Sequence, residues 1–345
     1  MVVLGADLHK RSHTIVVIDE TGRKLAEKTI SATAEGHLEL RRWAAQWPDR
    51  RWGLEDCRHL SRRLDAELVR AGESVVRVSP KLMAGVRRST REPGKSDPID
   101  ALAVARAVLR EPDLPVATLD GPDRAVRLLI DHREDLVGER TRHEQRLRWF
   151  LVELAIAEPS PRSLGRALVQ TTLASVLAGR TEPVARFARD LLARIVELST
   201  TIRALEHEIE ILVRTLAPTL LALPGCGALT AAKIIGEAAG VSRFRSKEAF
   251  ARHNGTAPVP VWSGNVVRHR LNRGGNRQLN VALHRIAITQ IRLAGPGKTY
   301  LEHRQASGDT RTEAIRALRR RLSDEVFRRL RADEVTRSTD LAAAA

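Results

Sequence analysis

The chain opens with three short runs rich in apolar and β-branched residues: Val2 to Leu8, His13 to Ile18 and Lys24 to Ser31. Asp19-Glu20-Thr21-Gly22 is a turn between the second and third, so the three predict an antiparallel meander. A helix is expected from Ala34 to Trp47, a short strand from Arg51 to Glu55, and a helix near Leu60 to Ala71 closed by Gly72. A strand from Ser74 to Ser79 and a helix starting at about Pro98 follow. The middle of the chain is helical. Asp123 to Leu154 is amphipathic and heavily charged, and Glu158-Pro159-Ser160-Pro161 stops it. Beyond Pro183, Leu191, Ile195, Leu198, Ile202, Leu205, Ile209, Leu212 and Leu216 fall at alternating gaps of four and three, a heptad seam that needs a partner helix. That partner is the 123–154 helix, in an antiparallel pair within the chain, or another subunit, and the two are compatible.

The order β-β-β-α-β-α-β-α over the first hundred residues is that of the ribonuclease-H-like fold, a mixed sheet with helices on its faces. The expected class is therefore α/β plus α: a ribonuclease-H-like (RuvC-like) domain over 1–115, a helical coiled-coil insertion over 116–217, and a mainly helical C-terminal domain over 218–335. Residues 336–345 are expected to be a disordered tail. Within the C-terminal domain, Leu223-Pro224-Gly225-Cys226-Gly227-Ala228-Leu229-Thr230-Ala231 has the character of a helix-hairpin-helix turn, whose backbone amides can hold a phosphate. Thr310 to Arg331 reads as an amphipathic helix, with Ile315, Leu318, Leu322 and Val326 on one face and arginines around it.

Charge narrows the class of partner. The chain of 345 residues carries a formal net charge of +16, which favours a polyanion, and nucleic acid is the first candidate. All but eight of its 58 basic residues are Arg, suited to gripping phosphate through paired hydrogen bonds, although an Ala- and Arg-rich composition also fits a GC-rich coding bias. Cys57 and Cys226 form no Cys-x-x-Cys pair, which argues against a structural zinc site or a disulfide framework. Met1 to Lys10 is an apolar run broken by Asp7, neither signal peptide nor membrane span, so a soluble, cytoplasmic and nucleoid-associated protein is expected.

Asp97-Pro98-Ile99-Asp100 is the stretch richest in chemistry. Asp before Pro is an ordinary helix opening, with Asp97 as the cap and Asp100 suited to the helix dipole. In a ribonuclease-H-like sheet, however, Asp7 on the first strand and Glu55 on the fourth emerge side by side on one rim. The following helix then carries Asp97 and Asp100 on one face, about 5 to 6 Å apart at Cβ. Such a set can hold two divalent ions about 3.5 to 4 Å apart that act on a phosphodiester. Oxygen-only ligands favour Mg²⁺ or Mn²⁺. His9 and His13 flank the first strand and are placed to touch phosphate, but a solvated or packed role is expected of both. Near the C-terminus, Ala257-Pro258-Val259-Pro260-Val261-Trp262-Ser263-Gly264 leads into Arg268-His269-Arg270-Leu271-Asn272-Arg273-Gly274-Gly275-Asn276-Arg277, an irregular hairpin dense in arginine. Arg268, Arg270, Arg273, Asn276 and Arg277 are its candidate nucleic-acid contacts. A serine among arginines is ordinarily a phosphate-contacting hydroxyl, and Ser263, as a bare Ser-Gly, needs a base, a metal or a dense positive field to act as a nucleophile.

Taken in order, Gly5-Ala6-Asp7 with His9-Lys10, Glu55, Lys95-Ser96-Asp97-Pro98-Ile99-Asp100-Ala101, Leu223-Pro224-Gly225, Ser263-Gly264 and Arg273-Gly274-Gly275-Asn276-Arg277 resemble the DEDD transposases of bacterial insertion sequences related to the Piv and MooV invertases. The resemblance covers both ends of the chain with a helical middle between them. It implies four Mg²⁺-binding acids at Asp7, Glu55, Asp97 and Asp100, a nucleophile at Ser263 that joins covalently to a DNA phosphate, and a bridge RNA that selects donor and target DNA. Relatives often carry Ser-Lys where this chain has Asn272-Arg273, which removes a competing serine. The acids and the serine lie far apart in sequence, so joint action requires the C-terminal domain to dock on the acidic rim, from the same chain or from a second subunit of a dimer or tetramer. Two other readings remain: a RuvC-like nuclease or junction resolvase that hydrolyses DNA with water alone, and a noncatalytic nucleic-acid-binding protein.

Overall fold

The computed structural model describes residues 1–56, 60–88, 96–114, 116–117, 119, 121–156, 164–263, 266–272 and 274–344. They fall into two compact units, Met1–Asp120 and Gly121–Ala345.

In the first unit the elements run β1 (Val2–Leu8), β2 (Ser12–Ile18), β3 (Lys24–Ser31), α1 (Ala34–Ala44), β4 (Arg50–Glu55), α2 (Arg62–Arg70), β5 (Val75–Val78), α3 (Pro80–Arg88) and α4 (Asp97–Arg110). The sheet order is β3-β2-β1-β4-β5, with the meander antiparallel and β4 and β5 parallel to β1. The mixed, helix-covered sheet expected from the sequence is thus present. Helix α3 was not expected.

Side chains alternate across this sheet with a period of two, and each face has its own core. Leu4, Ala6 and Leu8 of β1 join Ile15, Val17, Trp52 and Leu54 against Leu40 and Ala44 of α1 and Leu64 and Leu68 of α2. Val3, Val16, Ile18 and Val78 meet Met83 and Val86 of α3 and Ala101, Val104, Ala105 and Val108 of α4 on the opposite face. Glu73 ties the far end of β4 down, accepting from Arg50 Nε at 2.9 Å and Trp52 Nε1 at 2.8 Å.

Two glycines set how close α4 comes to the sheet. Gly5 and Gly53 are register partners on β1 and β4. A Cβ at Gly5 would stand 2.3 Å from the Ala101 carbonyl oxygen and 2.4 Å from the Ala105 nitrogen, and one at Gly53 would stand 2.6 Å from Val108 Cγ2. Helix α4 therefore lies in a seat that any other residue would fill.

The second unit contains α5 (Pro122–Glu153), α6 (Ala167–Ala178), α7 (Pro183–Leu216), α8 (Pro218–Leu221), α9 (Ala228–Ala238) and α10 (Lys247–His253). The ribbon β6 (Val259–Ser263) and β7 (Val266–Arg270) follows, then α11 (Arg277–Arg292), α12 (Pro296–Ala306) and α13 (Arg311–Ala344). Helices α5 and α7 are antiparallel neighbours: Arg133 pairs with Glu206, while Glu139 further along α5 takes Arg194 earlier on α7 at 2.8 Å. The heptad seam is covered within the chain. Ile195, Leu198, Ile202, Ile209 and Leu216 are buried, and Leu191, Leu205 and Leu212 are half-buried.

The helical middle does not stand apart from the C-terminal segment, because Val126, Ile130, Ile209 and Val213 share one core with α9, α11 and α13. Lys233 of α9, buried, clasps α5 by donating to Asp131 at 2.9 Å and Glu134 at 2.8 Å. The expected tail at 336–345 is a correction: α13 continues to Ala344, its last turn being polyalanine, the best helix former. Among the described residues no helix is long and apolar enough to cross a membrane. Cys226 is a buried free thiol, and Cys57 lies outside the described residues.

Candidate metal centre

The β-period that builds the two cores also aims the acids. Val3, Gly5 and Asp7 of β1 share the face that carries α4, as do Gly53 and Glu55 of β4. The parallel register pairs Gly5 with Gly53 and Ala6 with Leu54, so one step further Asp7 stands level with Glu55. Helix α4 runs over the two glycines with its first turn at the same rim. Ser96 holds the N-cap position and Asp97 is the first helical residue, so Asp97 is displaced from the capping role expected for it.

Asp7 is 5% exposed and Asp100 is 7% exposed. Asp97 is half-exposed and Glu55 partly buried. His9 is half-exposed, within the solvated role expected of it, and also stands between two of the acids: its Nε2 is 3.2 Å from Asp7 Oδ2 and 3.3 Å from Asp97 Oδ1. Its backbone N–H donates to the Ser12 carbonyl at 3.0 Å, which fixes the turn it opens. Ligand atoms of Asp7, His9 and Asp97 all lie within 4.8 Å of one another. Burial holds the Asp7 carboxyl above the usual carboxylate range; His9 pulls it back down, and Asp100, Glu55 and Asp97 push it further up. The other three acids are thus near enough to act on Asp7, but the ligand atoms that come together within 4.8 Å among the described residues are those of Asp7, His9 and Asp97, without Glu55 or Asp100.

The arrangement fits a divalent cation. Asp7 Oδ2 is shut off from solvent and accepts no hydrogen bond, His9 Nε2 lying beside it outside hydrogen-bond geometry. Gathering carboxylates around such an atom is costly unless a cation compensates. His13 is packed, as expected. It stacks on His37 with ring centroids 5.3 Å apart, and His37 Nδ1 lies 2.8 Å from Glu67 Oε2.

In the second unit Ser263 closes β6, paired with Val266 at the tip of the ribbon, while Val261 pairs with Arg268 and Val259 with Arg270. The side chains of Ser263 and Arg268, and the whole of Arg273, lie outside the described residues. Arg270 and Arg277 are exposed, as is Trp262 at 72%. Asn276 is used by the fold: its Oδ1 accepts from Leu279 N as the cap of α11, and its Nδ2 donates to Glu237 Oε2 at 2.7 Å. Both side-chain functions expected to face nucleic acid are therefore committed within the chain.

A five-stranded mixed sheet with acids on two adjacent strands and on the helix crossing them belongs to the ribonuclease-H-like class of domains. Residues 4–156 match the DEDD transposase family of IS110 elements, and residues 217–302 match the transposase family IS116/IS110/IS902. The chain is 27% identical to the 44.8 kDa protein of insertion element IS116 from Streptomyces clavuligerus, over 95% of this chain and 94% of that protein. It is 24% identical to the 42 kDa protein of insertion element IS900 from Mycobacterium paratuberculosis, over 99% and 98%. Among solved structures, Thermus thermophilus RuvC in complex with a Holliday junction substrate is similar at 15% identity and a TM-score of 0.27, over 34% of this chain and 99% of that one. The chain belongs to the IS110 family of DEDD transposases.

Proposed function

We propose that this transposase cuts and rejoins DNA strands through Ser263, with Mg²⁺ or Mn²⁺ held by Asp7, Glu55, Asp97 and Asp100. The observation that carries the reading is a buried, unbonded Asp7 oxygen beside His9 and Asp97, with Asp100 and Glu55 near enough to push the Asp7 carboxyl up. Held by these residues, a divalent ion would supply Lewis-acid polarisation of the scissile phosphate and charge stabilisation on the entering and leaving oxygens. Asp7 and Asp100 supply rigid, buried carboxylates, and Asp97 and Glu55 supply accessible ones. Ser263 Oγ loses its proton and forms a bond to phosphorus as a DNA oxygen leaves and is protonated to a hydroxyl, so one phosphoester replaces another and rejoining needs no outside energy source. Arg268, Arg270, Arg273 and Arg277 neutralise backbone phosphates on either side.

Donor and target DNA are the proposed substrates, a structured guide RNA selects them, and the protein acts as a dimer or tetramer. The net charge of +16 supports polyanionic partners of either kind. Ser263→Ala is expected to abolish strand joining and the covalent protein–DNA adduct. Intact cleavage in that variant assigns the protein to the water-only nuclease reading, and recombination that survives Asp7→Ala and Asp100→Ala assigns it to the noncatalytic one. RNA recovered with the protein from its host should be one structured species; a nonspecific mixture removes the guide from the mechanism.

A further inference from the structure

We propose that His9 is itself a metal ligand, completing with Asp7 and Asp97 an ion position that selects Mn²⁺ over Mg²⁺; this rests on the metal-centre reading above. The three residues bring one nitrogen and two carboxylate oxygens together within 4.8 Å. Cis ligands of an octahedral ion bound at about 2.1 Å are about 3.0 Å apart. The observed separations of His9 Nε2 from Asp7 Oδ2 and Asp97 Oδ1, 3.2 and 3.3 Å, are close to that edge length. A hydrogen bond is a poorer account of the first of them, because Asp7 Oδ2 is sealed from solvent yet accepts no directed bond. It is an oxygen aimed into the cluster without a partner that uses it.

His9 also reaches this place by construction. It follows Asp7 by two residues, on the same side of the strand line, and the bond from its N–H to the Ser12 carbonyl holds it at the mouth of the β1–β2 turn. Two carboxylates and a neutral imidazole balance one divalent charge. Asp100 and Glu55 stand outside this group of three, so the position that His9 completes differs in chemistry from one built of carboxylates alone. Mg²⁺ gains little from an imidazole in place of water, whereas Mn²⁺ accepts nitrogen and oxygen together.

The test uses the full chain, titrated separately with Mn²⁺ and Mg²⁺ by calorimetry, with pulsed electron paramagnetic resonance on the Mn²⁺-loaded protein. Wild type should bind Mn²⁺ about tenfold or more tightly than Mg²⁺ and show ¹⁴N coupling from a directly bound imidazole. His9→Ala and His9→Asn, the latter keeping a polar group at the turn and both checked for native circular dichroism, should lose the nitrogen coupling and the Mn²⁺ preference while retaining Mg²⁺ binding. Absence of ¹⁴N coupling in the wild type overturns the inference, and so does an equal loss of both ions in the variants. Asp7→Asn separates the two levels. If it abolishes binding of both ions while His9→Asn alters neither, His9 is no ligand and the centre stands; if it leaves both ions bound, the centre itself is refuted.

Discussion

Gly5→Ala should loosen the acidic site without touching an acid. The added Cβ would lie 2.3 Å from the Ala101 carbonyl oxygen, 2.4 Å from the Ala105 nitrogen and 2.7 Å from the Ala105 Cβ. Two of the three are backbone atoms of α4, so no rotamer change relieves the overlap. Carbon–oxygen contacts settle near about 3.3 Å, so the helix must retreat by roughly 1 Å. Overpacking of this kind costs about 1–3 kcal/mol, and the backbone partners favour the upper end. For a unit of this size that lowers its melting temperature by about 3–5 °C per kcal/mol.

The functional effect should be larger, because α4 carries Asp97 and Asp100. A shift of about 1 Å in a reacting geometry can reduce rate about a hundredfold. Thermal melts, calorimetric titration with Mn²⁺ and a supercoiled-DNA cleavage assay read the three effects. Gly85→Ala is the control, since a Cβ there meets nothing within 4 Å and lies within α3, where Ala is the better helix former. Wild-type melting and metal affinity in Gly5→Ala would refute the seating of α4 on the two glycines.

Acid should destabilise the protein through His13, whose pKa is pulled down to about 4 by burial and then by the neighbouring His37. The unfolded chain takes up a proton below about 6.5 and the folded one only near 4, so stability is full above 6.5 and falls by roughly 3 kcal/mol as pH drops between them. Urea midpoints of His13→Gln against wild type from pH 7 to 4 measure it, and parallel profiles would refute the assignment. Lys233→Met should cost about 1–3 kcal/mol by leaving Asp131 and Glu134, each about one-third exposed, without their shared cation. Urea unfolding checks this, and a double variant with Asp131→Asn should recover part of the loss.

The sheet and its acids were legible because their cause is local. β-Branched runs mark the strands, and a period of two carries Asp7 and Glu55 to the rim. Helix α3 was not legible: it is short, contains Gly85, and gains its stability from burying Met83 and Val86 against α4. The place of His9 between two acids was missed because one of the carboxylates it faces, Asp97, is distant in sequence. Its spacing of two from Asp7 was the available signal. Asn276 sits in an arginine-rich loop and so resembled a phosphate contact, but Leu279 N and Glu237 supply nearer partners for its amide. The seam of α7 was plain in the sequence. Its coverage by α5 depends on the chain's return path, which the heptad pattern does not encode.

The glycines beneath α4 widen the set of changes by which this transposase can be silenced. Gly5 precedes Asp7 by two residues and Gly53 precedes Glu55 by two, so each strand presents a vacancy and then a carboxylate on the same face. An inactivating drift can therefore begin at residues with no chemistry of their own, leaving every acid in place. A copy of the element that keeps all four carboxylates but has gained a side chain at either glycine is expected to be a dead one.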